Sequence, residues 1–384
     1  MTRLRRFVPL ASVALLLFLT ACASNAPQDT LEPEGPIARK IDNLVNPVFL
    51  AAGVVFVLVE VGALLIMRRF RARPDDDDNT LPAQVHGNSA LEIGWIAVPF
   101  LILAVIAVFT VVTVFDVDAE ADDATMSVQV VGQQWWWEYR YDVDGDGETD
   151  DPDDVVTAND LVIPSGTNVR LDIGSRDVIH SFWIPKLNGK KDAVPGRTHE
   201  LTVASDEPGT FVGQCTEYCG LSHAYMRQRL IALPQDEFDA WLANQQDDAQ
   251  MPASGDAQTG GELFVTSCSR CHLIEGINDE EYEDQGSGSD VVSGHAPNLT
   301  HFATRGAFAG AILPLWETDD PDGIVQWEDI GGELDRDALE AWLRDPPAEK
   351  PMAAEVEGPS RGMPDLELSE EQIDQLVAFL ETLD

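Results

Sequence analysis

Gln214-Cys-Thr-Glu-Tyr-Cys-Gly-Leu-Ser-His-Ala-Tyr-Met226 places Cys215, Cys219, His223 and Met226 within one short loop. Thiolate, imidazole and thioether together are a soft donor set of the kind that selects copper. Zinc is the commoner partner of closely spaced Cys and His, but zinc sites are filled by Cys, His and carboxylate, which would leave Met226 idle. Two thiolates can bridge a pair of copper ions that share one electron. Such a pair needs a second imidazole from elsewhere in the chain, and His180 is the candidate.

Outward from the loop the apolar residues recur with a period of two. Val128 and Val130 alternate with Ser127 and Gln129, and Trp135–Tyr141, Leu161–Pro164, Val169–Ile173, His199–Ala204 and Arg227–Leu233 complete a set of predicted strands. Short strands with Gly, Pro and Asp turns over roughly a hundred residues indicate an all-β Greek-key sandwich. Residues 234–244 read as a closing helix with Phe238, Trp241 and Leu242 on one face. Trp135, Trp136 and Trp137 cannot all face inward on a strand, because neighbours point to opposite faces.

The loop, together with Asp177-Val-Ile-His180-Ser and Gly132-Gln-Gln-Trp135-Trp-Trp137, resembles subunit II of the cytochrome c oxidases, the subunit that carries the dinuclear copper centre CuA. The resemblance runs from about residue 92 to about residue 241. It implies a cupredoxin domain over residues 125–244, with His180, Cys215, Glu217, Cys219, His223 and Met226 as copper ligands, Glu217 through its backbone carbonyl. It further implies that the Glu217 side chain reaches a magnesium ion shared with subunit I, and that electrons reach CuA through Trp135.

One departure from the family pattern is Asp142-Val-Asp-Gly-Asp-Gly-Glu-Thr-Asp-Asp-Pro-Asp153. Asp142, Asp144, Asp146 and Asp153 follow the ligand order of a calcium loop, with Gly147 at the turn, although the last position lacks the bidentate Glu. A solvated acidic hairpin tip is the alternative in a chain this acidic.

Residues 1–22 carry Arg3, Arg5 and Arg6, a short apolar run, and Leu19-Thr-Ala-Cys22. This is an export signal, and its end resembles a bacterial lipoprotein signal in which Cys22 becomes the acylated first residue. An uncut anchor helix is the alternative, but the run is short for a span. Within the segment 23–124, residues 45–67 and 93–115 are long and apolar enough to cross a bilayer. Arg68, Arg69, Arg71 and Arg73 between them put the connecting loop in the cytoplasm, so the later domains face the outer, periplasmic side of a bacterial cell membrane. Neither span contains His, which excludes membrane-embedded haem ligation by this chain. Glu60 and Glu92 are acids in or beside the spans, where an unpaired carboxylate is costly. The resemblance makes Glu92 the mouth of a proton pathway into the catalytic subunit.

After a linker over residues 245–256, rich in Gln, Asp and Ala and read as a flexible tether, Cys268-Ser-Arg-Cys271-His272 is the signature of covalent c-type haem attachment. The resemblance extends to versions of the subunit with a fused all-α cytochrome c domain, here residues 257–384. His301, in Ala296-Pro-Asn-Leu-Thr-His301, matches a stretch beside the haem and not a ligand. Ser369 and Gln372 form a capping box for a last helix bearing Ile373, Leu376, Val377 and Leu380. That helix is expected to pack on the one near residues 261–267. Met352 and Met363 are the candidate sixth iron ligands, and the Gly362-Met363-Pro364 setting favours Met363.

The five cysteines, Cys22, Cys215, Cys219, Cys268 and Cys271, are thereby all assigned to lipid or cofactors, with none left for a structural disulfide. A net charge of −43 repels nucleic acid and attracts basic partners, although the acid is spread through every soluble segment. These readings converge on a multidomain membrane protein that relays electrons from cytochrome c or its own haem c through CuA to subunit I, with subunit III as a further partner, supporting oxygen reduction and proton pumping. Two alternatives are a membrane-anchored copper-delivery protein, which leaves the haem motif unexplained, and a quinol oxidase subunit, which would lack the copper ligands.

Overall fold

Apolar residues at alternate positions commit segments such as Met126–Gln133 and Val169–Ser175 to strands, because a strand sends neighbours to opposite faces. The computed structural model describes residues 26–71, 87–118, 124–143, 154–279, 296–352 and 362–384. The export signal with Cys22, most of the acidic loop (Asp144, Asp146 and Asp153), Arg73 and His295 lie outside these residues.

Two long helices come first, α1 (Pro36–Arg69) and α2 (Ser89–Asp118). At 34 and 30 residues both outrun the expected spans, because each continues into flanking segments that need not be apolar. Their apolar side chains, such as Phe56, Leu58, Phe100 and Leu103, face outward, as suits hydrocarbon rather than water. The head of α1 is fastened to the β domain. Ile37 is fully buried, Glu34 N–H and Ala38 N–H donate to the carbonyls of Lys186 and Leu187, and Arg39 pairs with Asp206. A side chain at Gly35 would run into the Ala204 carbonyl, so glycine permits this approach.

Among the described residues the β domain holds ten strands. β1 (Met126–Gln133), β2 (Trp136–Tyr141), β3 (Val155–Ala158), β5 (Val169–Ser175) and β8 (His199–Val203) form a five-stranded sheet in the order β3-β2-β1-β5-β8. β4 (Asp160–Pro164), β9 (Gly209–Gln214) and β10 (Arg227–Leu233) form a second sheet in the order β4-β10-β9. β6 (His180–Phe182) and β7 (Lys191–Ala193) make a small ribbon beside them. β1 runs parallel to β5, and β10 parallel to β4, which marks crossovers between the sheets rather than a simple meander. Val130, Trp137, Tyr139, Leu161, Leu171, Phe182 and Leu230 fill the space between them. Tyr141 stitches the sheets together, its hydroxyl donating to Val162 O at 2.9 Å and accepting Val162 N–H at 2.8 Å.

Four of these strands, β3, β6, β7 and β9, carry no clean alternation: β3 and β9 are made strands by pairing with the better-patterned β2 and β10, and β6 and β7 by pairing with each other. The three tryptophans differ from expectation in outcome. Trp135, Trp136 and Trp137 are 4%, 5% and 0% exposed, since both faces of this end of the sheet are covered. A helix α3 (Gln235–Gln245) closes the domain with Phe238 and Trp241 buried, as its periodicity predicted.

Beyond it the fold turns helical. α4 (Gly255–Ser267), α5 (Arg336–Arg344), α6 (Pro346–Glu349) and α7 (Glu370–Leu380) surround a second core of Phe264, Ile274, Phe302, Phe308, Trp316, Leu339, Leu376 and Phe379. α7 starts at the expected capping box, Gln372 N–H donating to Ser369 Oγ and Ser369 N–H to Gln372 Oε1. It lies against α4 as expected: Gly260 faces the Gln375 carbonyl, and the Phe264 and Phe379 rings are 5.7 Å apart. The expected flexible tether is instead tied down. Ala249 N–H donates to Glu275 O at 3.0 Å, Gln245 Nε2 donates to Thr304 Oγ1 at 3.1 Å, and His301 Nε2 meets Asp247 O at 3.0 Å. Composition missed this because the ties are mostly backbone groups, which any sequence carries.

Candidate metal centre

Strands β9 and β10 pair antiparallel, with Gln214 opposite Arg227, so the segment between them is a loop held at both ends by one ladder. Cys215 N–H donates to Met226 O at 2.9 Å and closes it. Gly220, at φ +120°, makes the turn under Trp135, where a Cβ would meet Gln134 Nε2 at 2.9 Å. The loop thereby gathers its donors. Cys215 Sγ lies 3.8 Å from Cys219 Sγ, and Cys219 Sγ lies 3.5 Å from His223 Nδ1 and 3.8 Å from Met226 Sδ. The Glu217 carbonyl is 3.3 Å from Cys215 Sγ, while its carboxylate turns outward and accepts Tyr218 N–H at 3.0 Å.

His180 arrives from the other side. It opens β6, is fully buried, and points Nδ1 at Cys215 Sγ from 4.0 Å. Its Nε2 lies 2.9 Å from Asp177 Oδ1, and the other Asp177 oxygen accepts Gln134 N–H at 2.8 Å. This carboxylate orients the ring so that Nδ1 faces the sulfurs. Gly132 leaves room for it, since a Cβ there would stand 3.0 Å from both His180 Cδ2 and the Trp137 ring. Asp177 and Gly132 both lie in the stretches that carry the resemblance, but neither residue type by itself marks a role there. An acid three residues before a ligating His was the available signal.

The electrostatics test the site for a metal. The hydrogen bond from Cys219 holds the Cys215 thiol down to about 4 against its burial, and the same bond, with burial, pushes Cys219 far up. Two buried sulfurs thus share one proton, and a soft cation touching both displaces it. Asp177 stays ionised although burial opposes it, through hydrogen bonds with His180 and the Gln134 and Val178 amides. His180, Cys215 and Cys219 offer donor atoms all within 4.8 Å of one another, and Met226 Sδ completes a soft set. The residues fit copper, which His180, Cys215, Cys219 and Met226 would hold.

Trp135 donates its indole N–H to Cys219 O at 3.1 Å, beside Gln134 Nε2 at 2.7 Å. It is therefore hydrogen-bonded to the ligand loop itself. Val178, Ile179, Tyr218 and Leu221 are exposed around the same end of the domain. Glu92 stands near the start of α2 on its exposed surface.

The C-terminal domain has its own cluster. Cys268 ends α4, and the N–H groups of Cys271 and His272 both reach the Cys268 carbonyl at 3.0 Å. His272 Nδ1 meets Pro297 O at 2.8 Å, so Nε2 is the ring nitrogen that this bond does not engage. Burial pushes the Cys268 thiol up to about 11. Arg305 is buried near His272; its Nη2 donates to Asn298 O, while among the described residues its Nε has no hydrogen-bond partner. Both nitrogens of His301 are engaged, by Asp384 O and Asp247 O, which excludes it as a ligand as expected. Met363 packs on the second core, and Met352 lies against Gly362.

Comparison with known proteins follows the same division. Residues 28–112 match the transmembrane domain of cytochrome c oxidase subunit II, and residues 126–232 match its periplasmic domain. Cytochrome c oxidase subunit 2 of Alkalihalophilus pseudofirmus is 34% identical over 98% of this chain and 96% of its own length. That of Bacillus sp. strain PS3 is 32% identical over 82% of this chain and 80% of its own. The solved periplasmic domain of cytochrome oxidase subunit II from Bradyrhizobium japonicum is 28% identical, covering 32% of this chain and 94% of its own, with a TM-score of 0.29. Membership excludes the reading as a copper-delivery protein. The chain belongs to the cytochrome c oxidase subunit II family, a membrane subunit with two transmembrane helices and a periplasmic domain whose CuA-type site serves electron transfer.

Proposed function

We propose that this subunit carries a covalently attached haem c in its C-terminal domain and passes electrons from it to CuA and on to the catalytic subunit. The observation that carries this reading is His272, held at Nδ1 by Pro297 O beside Cys268 and Cys271, with the unmet Arg305 donor suited to a haem carboxylate. When bound, the copper pair and the haem supply reversible one-electron chemistry. The chain's part is to hold them still: β10 and β9 clamp the copper loop, and α4 and α7 clamp the haem motif, so that little rearranges when charge arrives. His180, Cys215, Glu217, Cys219, His223 and Met226 are the copper ligands in this reading, and His272 and Met363 the iron ligands.

The exposed rim of Val178, Ile179, Tyr218 and Leu221 with the outward Glu217 carboxylate suits contact with subunit I, where Glu217 would meet magnesium and Glu92 would open the proton path. Subunit III and a soluble cytochrome c are the further partners. Cys22 is the acylated first residue of the mature chain, and an intact mass that retains Met1 would refute this. The acidic stretch Asp142–Asp153 is a solvated hairpin tip in this reading, and a melting temperature raised by millimolar calcium, against a magnesium control, would make it a calcium loop instead.

Two spectra test the main proposal on the purified complex. The pyridine haemochrome of a c-type haem should remain with the chain after denaturation, and its absence would end the haem reading. Electron paramagnetic resonance should show a mixed-valence copper pair that Cys215→Ser abolishes rather than weakens, because one bridge cannot hold both coppers. A surviving two-copper signal would exclude the bridging role.

A further inference from the structure

The carbonyl of Trp135 is not satisfied within its own domain. Lys350 Nζ donates to it at 2.6 Å and to Ala309 O at 3.0 Å, with Lys350 only 4% exposed. Lys350 follows α6 and Ala309 lies in the loop after Phe308, so both belong to the C-terminal domain, whereas Trp135 precedes β2. A buried amine facing two carbonyls and, among the described residues, no carboxylate is a costly arrangement, and it persists only where those bonds form.

The loop under Lys350 is shaped for this contact. Ala309, Gly310 and Ala311 stand in succession at φ +54°, +78° and +56°, a left-handed run that side chains disfavour. A Cβ on Gly310 would fall 2.3 Å from Lys350 Nζ and 2.9 Å from the carbonyls of both Trp135 and Tyr225. Gly310 O accepts Arg227 N–H at 2.9 Å, at the foot of the copper loop, and Ser222 Oγ within that loop donates to Pro351 O. A second anchor lies further along β10. Arg229 pairs with Asp160, donates to Val325 O at 2.9 Å, and shares Asp160 with Gly306 N–H at 2.8 Å.

We propose that Lys350 is the latch that docks the C-terminal domain on the copper loop, covering Trp135 so that a soluble donor cannot deliver there and must use the C-terminal domain. Trp135 is 4% exposed with its indole on Cys219 O and its carbonyl on Lys350, so one unbroken hydrogen-bonded chain joins the two domains at the ligand loop. Lys350 is thus a positioning residue. It touches no ligand and acts through Trp135. The docked arrangement stands on its own contacts; only the route of the donor rests on the haem reading.

The test is Lys350→Met in the full chain, in its oxidase complex, because Met keeps the volume and apolar stem while removing the donor. A role in packing alone would leave the interface as tight or tighter. Hydrogen exchange read by mass spectrometry should accelerate in peptides holding Arg227 and Gly306 by at least about tenfold, the factor expected from losing a hydrogen bond to a charged group. Gly310→Ala should do the same by displacing Lys350. In the same preparation an electron injected at the C-terminal domain should reach the copper centre at least about tenfold more slowly, with the copper spectrum unchanged. Unchanged exchange in both variants would overturn the latch whether or not haem is attached. Exchange that accelerates in a chain without covalent haem would support the latch while removing the haem reading.

Discussion

A buried imidazole with two chemically distinct nitrogens takes its orientation from whatever meets the nitrogen that is not coordinating. For His180 that is Asp177, and for His272 it is the Pro297 carbonyl. Asp177→Ala should therefore lower copper affinity by about 10–100-fold, the range for losing a partner that orients a ligand. Competition against a chelator of known affinity would measure it, and an unchanged affinity would show that the β6 backbone alone aims the ring. If the C-terminal domain holds the proposed haem, a methionine thioether bound to its iron would raise the potential. Met363→Ala should remove the far-red sulfur-to-iron band and lower that potential, while Met352→Ala should change neither. The reverse pattern would move the axial bond to Met352 and leave the haem domain standing.

Elements meet here wherever small residues let backbones approach. α4 and α7 approach at Gly260, where an added Cβ would lie 1.9 Å from the Gln375 carbonyl and 2.9 Å from Phe379 Cβ. Neither neighbour can swing aside, since one is backbone and the other the root of a buried ring. Gly260→Ala should therefore destabilise the C-terminal domain by about 1–3 kcal/mol, as overpacking does, although alanine is the better helix former. Thermal unfolding followed by circular dichroism would register the loss, and an equal or higher melting temperature would mean that α7 slides without cost. The same logic explains Gly132 beside His180 and Gly35 against Ala204.

Across the whole molecule, charge is placed where the domains touch. Arg229 and Asp160 are each about 4% exposed at the side chain, and their pairing draws in Gly306 N–H and Val325 O from the helical domain. Removing one member of a buried pair strands the other. Arg229→Ala should cost about 3–5 kcal/mol on that account, visible as a lowered melting temperature of both domains together. Loss confined to the β domain would show that the pair serves the β4–β10 ladder and not the contact between domains.

The ligand types, their spacing and the two apolar stretches were decided by the sequence alone, because soft donors within a few residues and about 20 apolar residues have few other uses. The capping box of α7 was legible for the same reason: it is a local chemical requirement written in adjacent residues. Strands β3, β6, β7 and β9 were not, since their pairing partners rather than their own patterns make them strands. Nor could spacing reveal that Asp177 reaches back to His180 and Gln134, that all three tryptophans are covered, or that the supposed tether is bound. Lys350, some two hundred residues from Trp135, reads in sequence as an ordinary solvated charge. Only the tertiary structure buries it against a carbonyl, because a contact between backbone oxygen and a distant ammonium leaves no pattern along the chain.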